Sequence, residues 1–117
     1  MSSAEVGLQQ GIFALISDKQ GIKLKNISVD KSLNFDLGVD GDDAVELFEA
    51  YSAKFHVDLT PLGEEWDRYF GPEGFSSFGM WELMTLFRTK QRGPMLPLPV
   101  SRLVASAHEG RWIPLAE

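Results

Sequence analysis

The chain of 117 residues is 44% hydrophobic and has no cysteine, so one small domain spanning 1–117 is expected: a chain of this length buries roughly 60 to 70% of its unfolded surface, enough for a single core. The missing cysteine excludes disulfides, thiolate nucleophiles and thiolate metal sites, and it fits a reducing, cytoplasmic setting. A formal net charge of −6 weighs against nucleic acid as the main partner, because phosphate binding depends on clustered cations.

The first element expected is a helix from about Ser3 to Ser17, with Ser3 as its N-cap. Val6, Leu8 or Gln9, Phe13 and Ile16 recur near helical spacing, and Ile12 and Leu15 widen the stripe. Its apolar patch Gly11-Ile12-Phe13-Ala14-Leu15-Ile16 follows no basic start and precedes no small-residue cleavage pattern, so it does not read as a signal peptide. No apolar run approaches the roughly 20 residues that cross a bilayer, and a soluble chain without a membrane partner is expected. Asp18-Lys19-Gln20-Gly21 supplies a stop. From Ile22 to Phe35 apolar and polar residues mix without a sustained period, which favours a loop over a short strand.

The clearest local grammar lies in the second helix. Asp40 is placed to cap free amide groups and Asp43 follows at capping-box distance. Ala44, Leu47, Phe48, Tyr51 and Phe55 then recur at i, i+3, i+4, i+7 and i+11, which leaves Glu46, Glu49 and Ala53 nearer the opposite face. Thr60-Pro61 opens a short helix with Trp66, Tyr69 and Phe70 buried, ending at Gly71-Pro72. An aromatic loop, Phe75-Ser76-Ser77-Phe78, and a helix from about Met80 to Thr89 follow. Gly93 to Pro99 reads as a helix stop and extended connection. A last helix spans Pro99 or Val100 to Glu109, with Val100, Leu103, Val104 and Ala107 inward, Gly110 as its stop, and Trp112 and Ile113 folding back.

Charge is unevenly placed. Every ionisable residue from Asp36 to Glu49 is acidic, whereas Arg88, Lys90, Arg92, Arg102 and Arg111 dominate the C-terminal part.

The stretch Asp36-Leu37-Gly38-Val39-Asp40-Gly41-Asp42-Asp43-Ala44-Val45-Glu46-Leu47 resembles the attachment loop and second helix of acyl carrier proteins, where the pattern is approximately D-L-G-x-D-S-L-D-x-V-E-L. The resemblance runs from the first helix to about Phe55 and resumes more weakly in the last helix. It implies an all-α fold, an acyl-carrier-protein-like small helical bundle, here with an extra aromatic helical and loop segment. Tyr69-Phe70-Gly71-Pro72-Glu73-Gly74 and Glu109-Gly110-Arg111-Trp112 are similar to an uncharacterised bacterial branch of that family. In carrier proteins the serine hydroxyl bears phosphopantetheine; here the position is Gly41, a degenerate attachment site with no atom on which to build the ester. Asp42 replaces the leucine after it, and Ser52 and Ala53 stand where partner-binding acids often occur. Ser32 and Ser52 do not lie at the helix entrance that a phosphopantetheinyl transferase reads.

The resemblance therefore implies a non-catalytic interaction module with no cofactor, whose partner-binding residues are Asp40, Asp42, Asp43, Glu46 and Glu49. The expected partner is a protein with a basic docking surface. The alternative is an acyl carrier acting through unusual attachment or through noncovalent binding of an acyl ligand between the helices. A calcium loop is disfavoured, because counting from Asp36 puts Gly38 third and Leu47 twelfth, where carboxylates are needed; no metal site is expected. Catalytic residues are not expected either. His56 and His108 are the only histidines, and the Gly74 to Gly79 segment fails the spacing of a nucleophile elbow.

Overall fold

In a computed structural model, the structure describes residues 3–70 and 96–114. Five helices are described: α1 (Ser3–Gln20), α2 (Gly41–Phe55), α3 (Thr60–Glu65), α4 (Asp67–Phe70) and α5 (Val100–Glu109). A 3₁₀ turn, Leu24–Asn26, interrupts the loop after α1. Among the described residues, β-pairing is confined to two isolated bridges, Ser32 with Pro99 and Asp58 with Arg111. The architecture is all-α, in keeping with a small acyl-carrier-like bundle. The aromatic segment expected between Gly71 and Thr89 lies outside the described residues, as does the first part of the connection to α5.

Helix α1 runs three residues beyond its expected end, to Gln20, and Gly21 closes it with a bond from its N–H to Ser17 O at 2.9 Å. Ile12, Leu15 and Ile16 bury its inner face. Gly11 sits where α1 meets α2: a Cβ there would stand 3.2 Å from the Phe55 ring, so the helix accepts glycine's propensity cost of about 1 kcal/mol and gains a close crossing.

Of the residues expected on the inner face of α2, Ala44, Leu47, Phe48 and Tyr51 are buried, and Phe55, at the end of the helix, is half-buried. Phe48 is the centre of the aromatic core, with edge-on contacts to Tyr51, Trp66, Phe70 and Trp112 at 5.7–6.3 Å between centroids. Such pairs add about 0.5–1.5 kcal/mol beyond burial. Helix α2 ends at His56, held in the left-handed region at φ 56°. Ser52 serves this end, its hydroxyl donating to Val57 O at 2.7 Å.

The single helix expected from Thr60 to Phe70 is instead two, α3 and α4, meeting at Trp66. Asp58 starts α3 by accepting from both the Thr60 N–H at 3.0 Å and the Thr60 hydroxyl at 2.7 Å; these bonds hold its carboxyl below the usual range. Helix α5 ends at Gly110, whose φ of +80° is open to glycine without Cβ strain. Its first amides are served from a distance: Val100 N–H donates to Lys31 O and Ser101 N–H to Val29 O, both at 2.9 Å.

Behind α5 the chain doubles back, as expected: Ile113 N–H donates to Ser106 Oγ at 2.9 Å and Ile113 O accepts from the Arg102 guanidinium at 3.3 Å. Asp58 N–H donates to Gly110 O at 3.1 Å and Trp112 N–H to Asp58 O at 2.8 Å. Trp112 is thereby buried, while Ile113 keeps 37% of its surface exposed. The indole Nε1–H donates to Glu65 Oε2 at 3.0 Å, and the Tyr69 hydroxyl donates to the same oxygen at 2.8 Å. Glu65 is thus a buried polar joint between α3, α4 and the C-terminal segment.

Burial raises the pKa of Tyr51, whose hydroxyl donates to Leu103 O at 2.6 Å, and of Tyr69, where the bond to Glu65 adds to the shift. Unfolded tyrosines ionise near pH ~10. Above that pH the unfolded chain binds fewer protons than the native one, so the stability contributed by both residues, complete below pH ~10, is lost as pH rises towards their folded values. The urea midpoint should fall steadily above pH ~10, and Tyr51→Phe should flatten that fall. A midpoint unchanged by alkali would contradict the arrangement.

Candidate functional site

The site grows from the loop that leads into α2. Ser32 and Asp36 lock each other: the Ser32 N–H and hydroxyl donate to Asp36 Oδ2 at 2.8 and 3.2 Å, and the Asp36 N–H donates back to Ser32 Oγ at 2.9 Å. Ser32 is buried and committed to this turn. Between them, Asn34 fastens the loop to the rest of the fold. Its Nδ2 donates to Tyr69 O at 3.0 Å and Leu96 O at 2.8 Å, and its Oδ1 accepts from Leu98 N–H at 3.0 Å.

Gly38 then turns the chain at φ +71°, a conformation that glycine adopts freely. Val39 is buried, and its N–H donates to Leu33 O at 3.0 Å. Asp40 follows as the N-cap expected, accepting from the Asp43 N–H at 3.1 Å. A cap of this type contributes about 1 kcal/mol.

Gly41, the first residue of α2, is buried. It lines a recess of about 220 Å³ together with Asn34, Phe35, Asp40, Tyr69 and Phe70. The five acids expected at the partner surface, Asp40, Asp42, Asp43, Glu46 and Glu49, are all exposed. Asp42, Glu46 and Glu49 succeed one another at spacings of four and three, so they form one stripe opposite the buried face of α2. The pKa of Asp43 is raised, first by Asp40, then by partial desolvation, Glu46 and Asp42. Repulsion from the neighbouring acids thus opposes the ionisation of Asp43.

A second concavity lies between α1 and α5. It encloses about 340 Å³, with Leu8, Val29, Val104 and Ile113 among its apolar walls and His108 at its edge. Among the described residues no three His, Asp or Glu side chains gather to hold a metal ion, and no helix is long and apolar enough to cross a membrane.

A family model described as "Protein of unknown function (DUF1493)" matches residues 6–114. The chain belongs to this family. It is also similar to the acyl carrier protein of Rickettsia bellii strain RML369-C, 38% identical over 52 residues, covering 44% of this chain and 60% of the relative. The acyl carrier protein of strain OSU 85-389 gives the same identity and length, with 64% of the relative covered. The chain spans about three fifths of the length of these curated relatives. No solved structure matches. DUF1493 membership thus accounts for nearly the whole chain, and the carrier likeness for less than half of it.

Three residues of this region escaped the sequence reading: Asn34, Phe35 and Glu65. Asn34 had a signal, since a loop asparagine readily bonds nearby backbone, but its acceptors lie far along the chain. Glu65 sits four residues before Tyr69 and three after Leu62, on the buried side of a helix, where a carboxylate implies a polar partner.

Proposed function

We propose that this protein is a non-catalytic, acyl-carrier-like interaction module without a phosphopantetheine arm, which docks through the acidic side of α2 on a cytoplasmic protein with a basic surface. The observation that carries this reading is the stripe Asp42, Glu46 and Glu49, exposed beside Asp40 and Asp43 and opposite a buried face. Like charges gathered on one exposed side present a concentrated negative field to a partner. Gly41 supports the loss of the arm, because glycine supplies no hydroxyl for the phosphodiester. Gly41 itself is buried at the start of α2.

Steering of this kind accelerates encounter roughly 10-fold or more at low salt. The partner is recovered by low-salt affinity capture from the native cell and purified, and its association rate is measured at two ionic strengths. Association should slow as salt rises, and Glu46→Lys should both slow it and weaken its dependence on salt. Association indifferent to salt and to Glu46→Lys would sink the docking reading.

The apolar cleft between α1 and α5 favours a second reading, noncovalent binding of an acyl chain. Titration with a dansylated fatty acid, with Val104→Trp to fill the cleft, separates it from the first.

A further inference from the structure

The exposed aromatic ring at the recess that Asp40 and Gly41 share has no role in the fold described so far. Phe35 keeps 56% of its surface in water. A single exposed apolar residue is ordinary, and Leu24, equally exposed at 56%, is such a case: it lies in a 3₁₀ turn flanked by Lys23 and Lys25. Phe35 differs in three respects.

Its backbone is held from both sides. The Phe35 N–H donates to Asn34 Oδ1 at 3.1 Å, the same oxygen that accepts from Leu98 N–H. Asn34 is tied in turn to Tyr69 and Leu96, and Asp36 is locked to Ser32. A side chain presented from a fixed backbone loses less freedom on binding, which is the advantage of a preorganised anchor. The ring also borders the 220 Å³ recess that leads to Gly41, so apolar surface continues from Phe35 towards Phe70. Finally, its charged neighbours in the chain and at the recess, Asp36 and Asp40, are both acidic and exposed.

We propose that Phe35 is the apolar anchor of the docking surface, entering a pocket on a partner protein whose rim carries lysine or arginine. The proposal rests on the acidic docking reading and adds what that reading lacks, a centre of affinity. Charges steer encounter and set its salt dependence, whereas a buried aromatic slows dissociation. The acids around the ring repel anionic lipid and nucleic acid, which leaves a basic protein pocket as the complementary surface.

The test places p-benzoylphenylalanine at position 35 of the full chain in its native cell, with position 24 as the control. Irradiation should link one protein at position 35 and not at position 24. That protein is then purified and titrated with wild type, Phe35→Ala, Phe35→Trp and Glu46→Lys. Phe35→Ala should weaken affinity by about 10- to 100-fold through faster dissociation, with the slope of log affinity against log salt unchanged, and Phe35→Trp should restore most of the loss. Glu46→Lys should lower the salt slope instead. All variants should match wild type in urea midpoint, because both positions are exposed.

Wild-type affinity in Phe35→Ala with a weakened Glu46→Lys overturns the anchor and leaves the acidic docking standing. Unchanged affinity and salt slope in both overturn the two together. Linkage at position 35 to lipid or to a second copy of this chain, or no linkage there, also overturns the anchor.

Discussion

Glu65→Ala is expected to destabilise the protein by about 3–5 kcal/mol, read as a drop in the urea midpoint at neutral pH. The carboxylate accepts from two buried donors, the Tyr69 hydroxyl at 2.8 Å and the Trp112 indole at 3.0 Å. Removing the acceptor leaves both donors without it in the core, at about 1–3 kcal/mol each, and opens a void beside Tyr69 and Trp112. The loss is large against a typical total of about 5–15 kcal/mol. It also releases the C-terminal segment, because Trp112 joins that segment to the aromatic cluster around Phe48. Glu65→Gln keeps one acceptor oxygen of the same reach and should cost about 1–2 kcal/mol. A midpoint for Glu65→Ala within about 0.5 kcal/mol of wild type would show that the joint does not matter.

Gly41→Ser is expected to restore the hydroxyl without restoring the modification. Wild type co-expressed with a phosphopantetheinyl transferase should show its unmodified mass, since no oxygen stands at position 41. In Gly41→Ser the oxygen is present, but position 41 is buried at a recess that Tyr69 and Phe70 help to wall. The following residue is Asp42, a charge where carrier proteins resembling this chain present leucine. A transferase must reach the hydroxyl and read the first turn of the helix, and both are altered. The intact mass of Gly41→Ser should therefore stay unmodified, and Gly41→Ser with Asp42→Leu should gain at most a minor loaded fraction. Complete loading of the single variant would mean that the attachment atom alone separates this chain from a working carrier. Loading of wild type would overturn the arm-free reading itself.

These two predictions draw on different depths of the molecule. The cap of α2 was legible because Asp40 and Asp43 meet across three residues, and its buried face because apolar residues recur at helical intervals. The end of α5 was legible for the same reason: Gly110 follows the last inward residue, and its φ of +80° is a local matter. The acids of α2 were expected on the outer side and are exposed. The break between α3 and α4 was not legible, since Trp66, Tyr69 and Phe70 have a spacing that one helix satisfies as well as two.

By itself, the sequence determined α1, α2 and α5, the capped start and acidic outer side of α2 and the absence of a hydroxyl at position 41, because each depends on residues a few positions apart. Only the tertiary structure decided which side chains join those helices and which are left for a partner. Asn34 reaches acceptors 35 and 62 residues away, Glu65 accepts from Trp112 across 47, and Tyr51 donates to Leu103 across 52. A hydrogen bond of that kind has no periodicity to announce it, since its geometry exists only after the chain has folded. The same closure buries Gly41 and leaves Phe35 in water beside it.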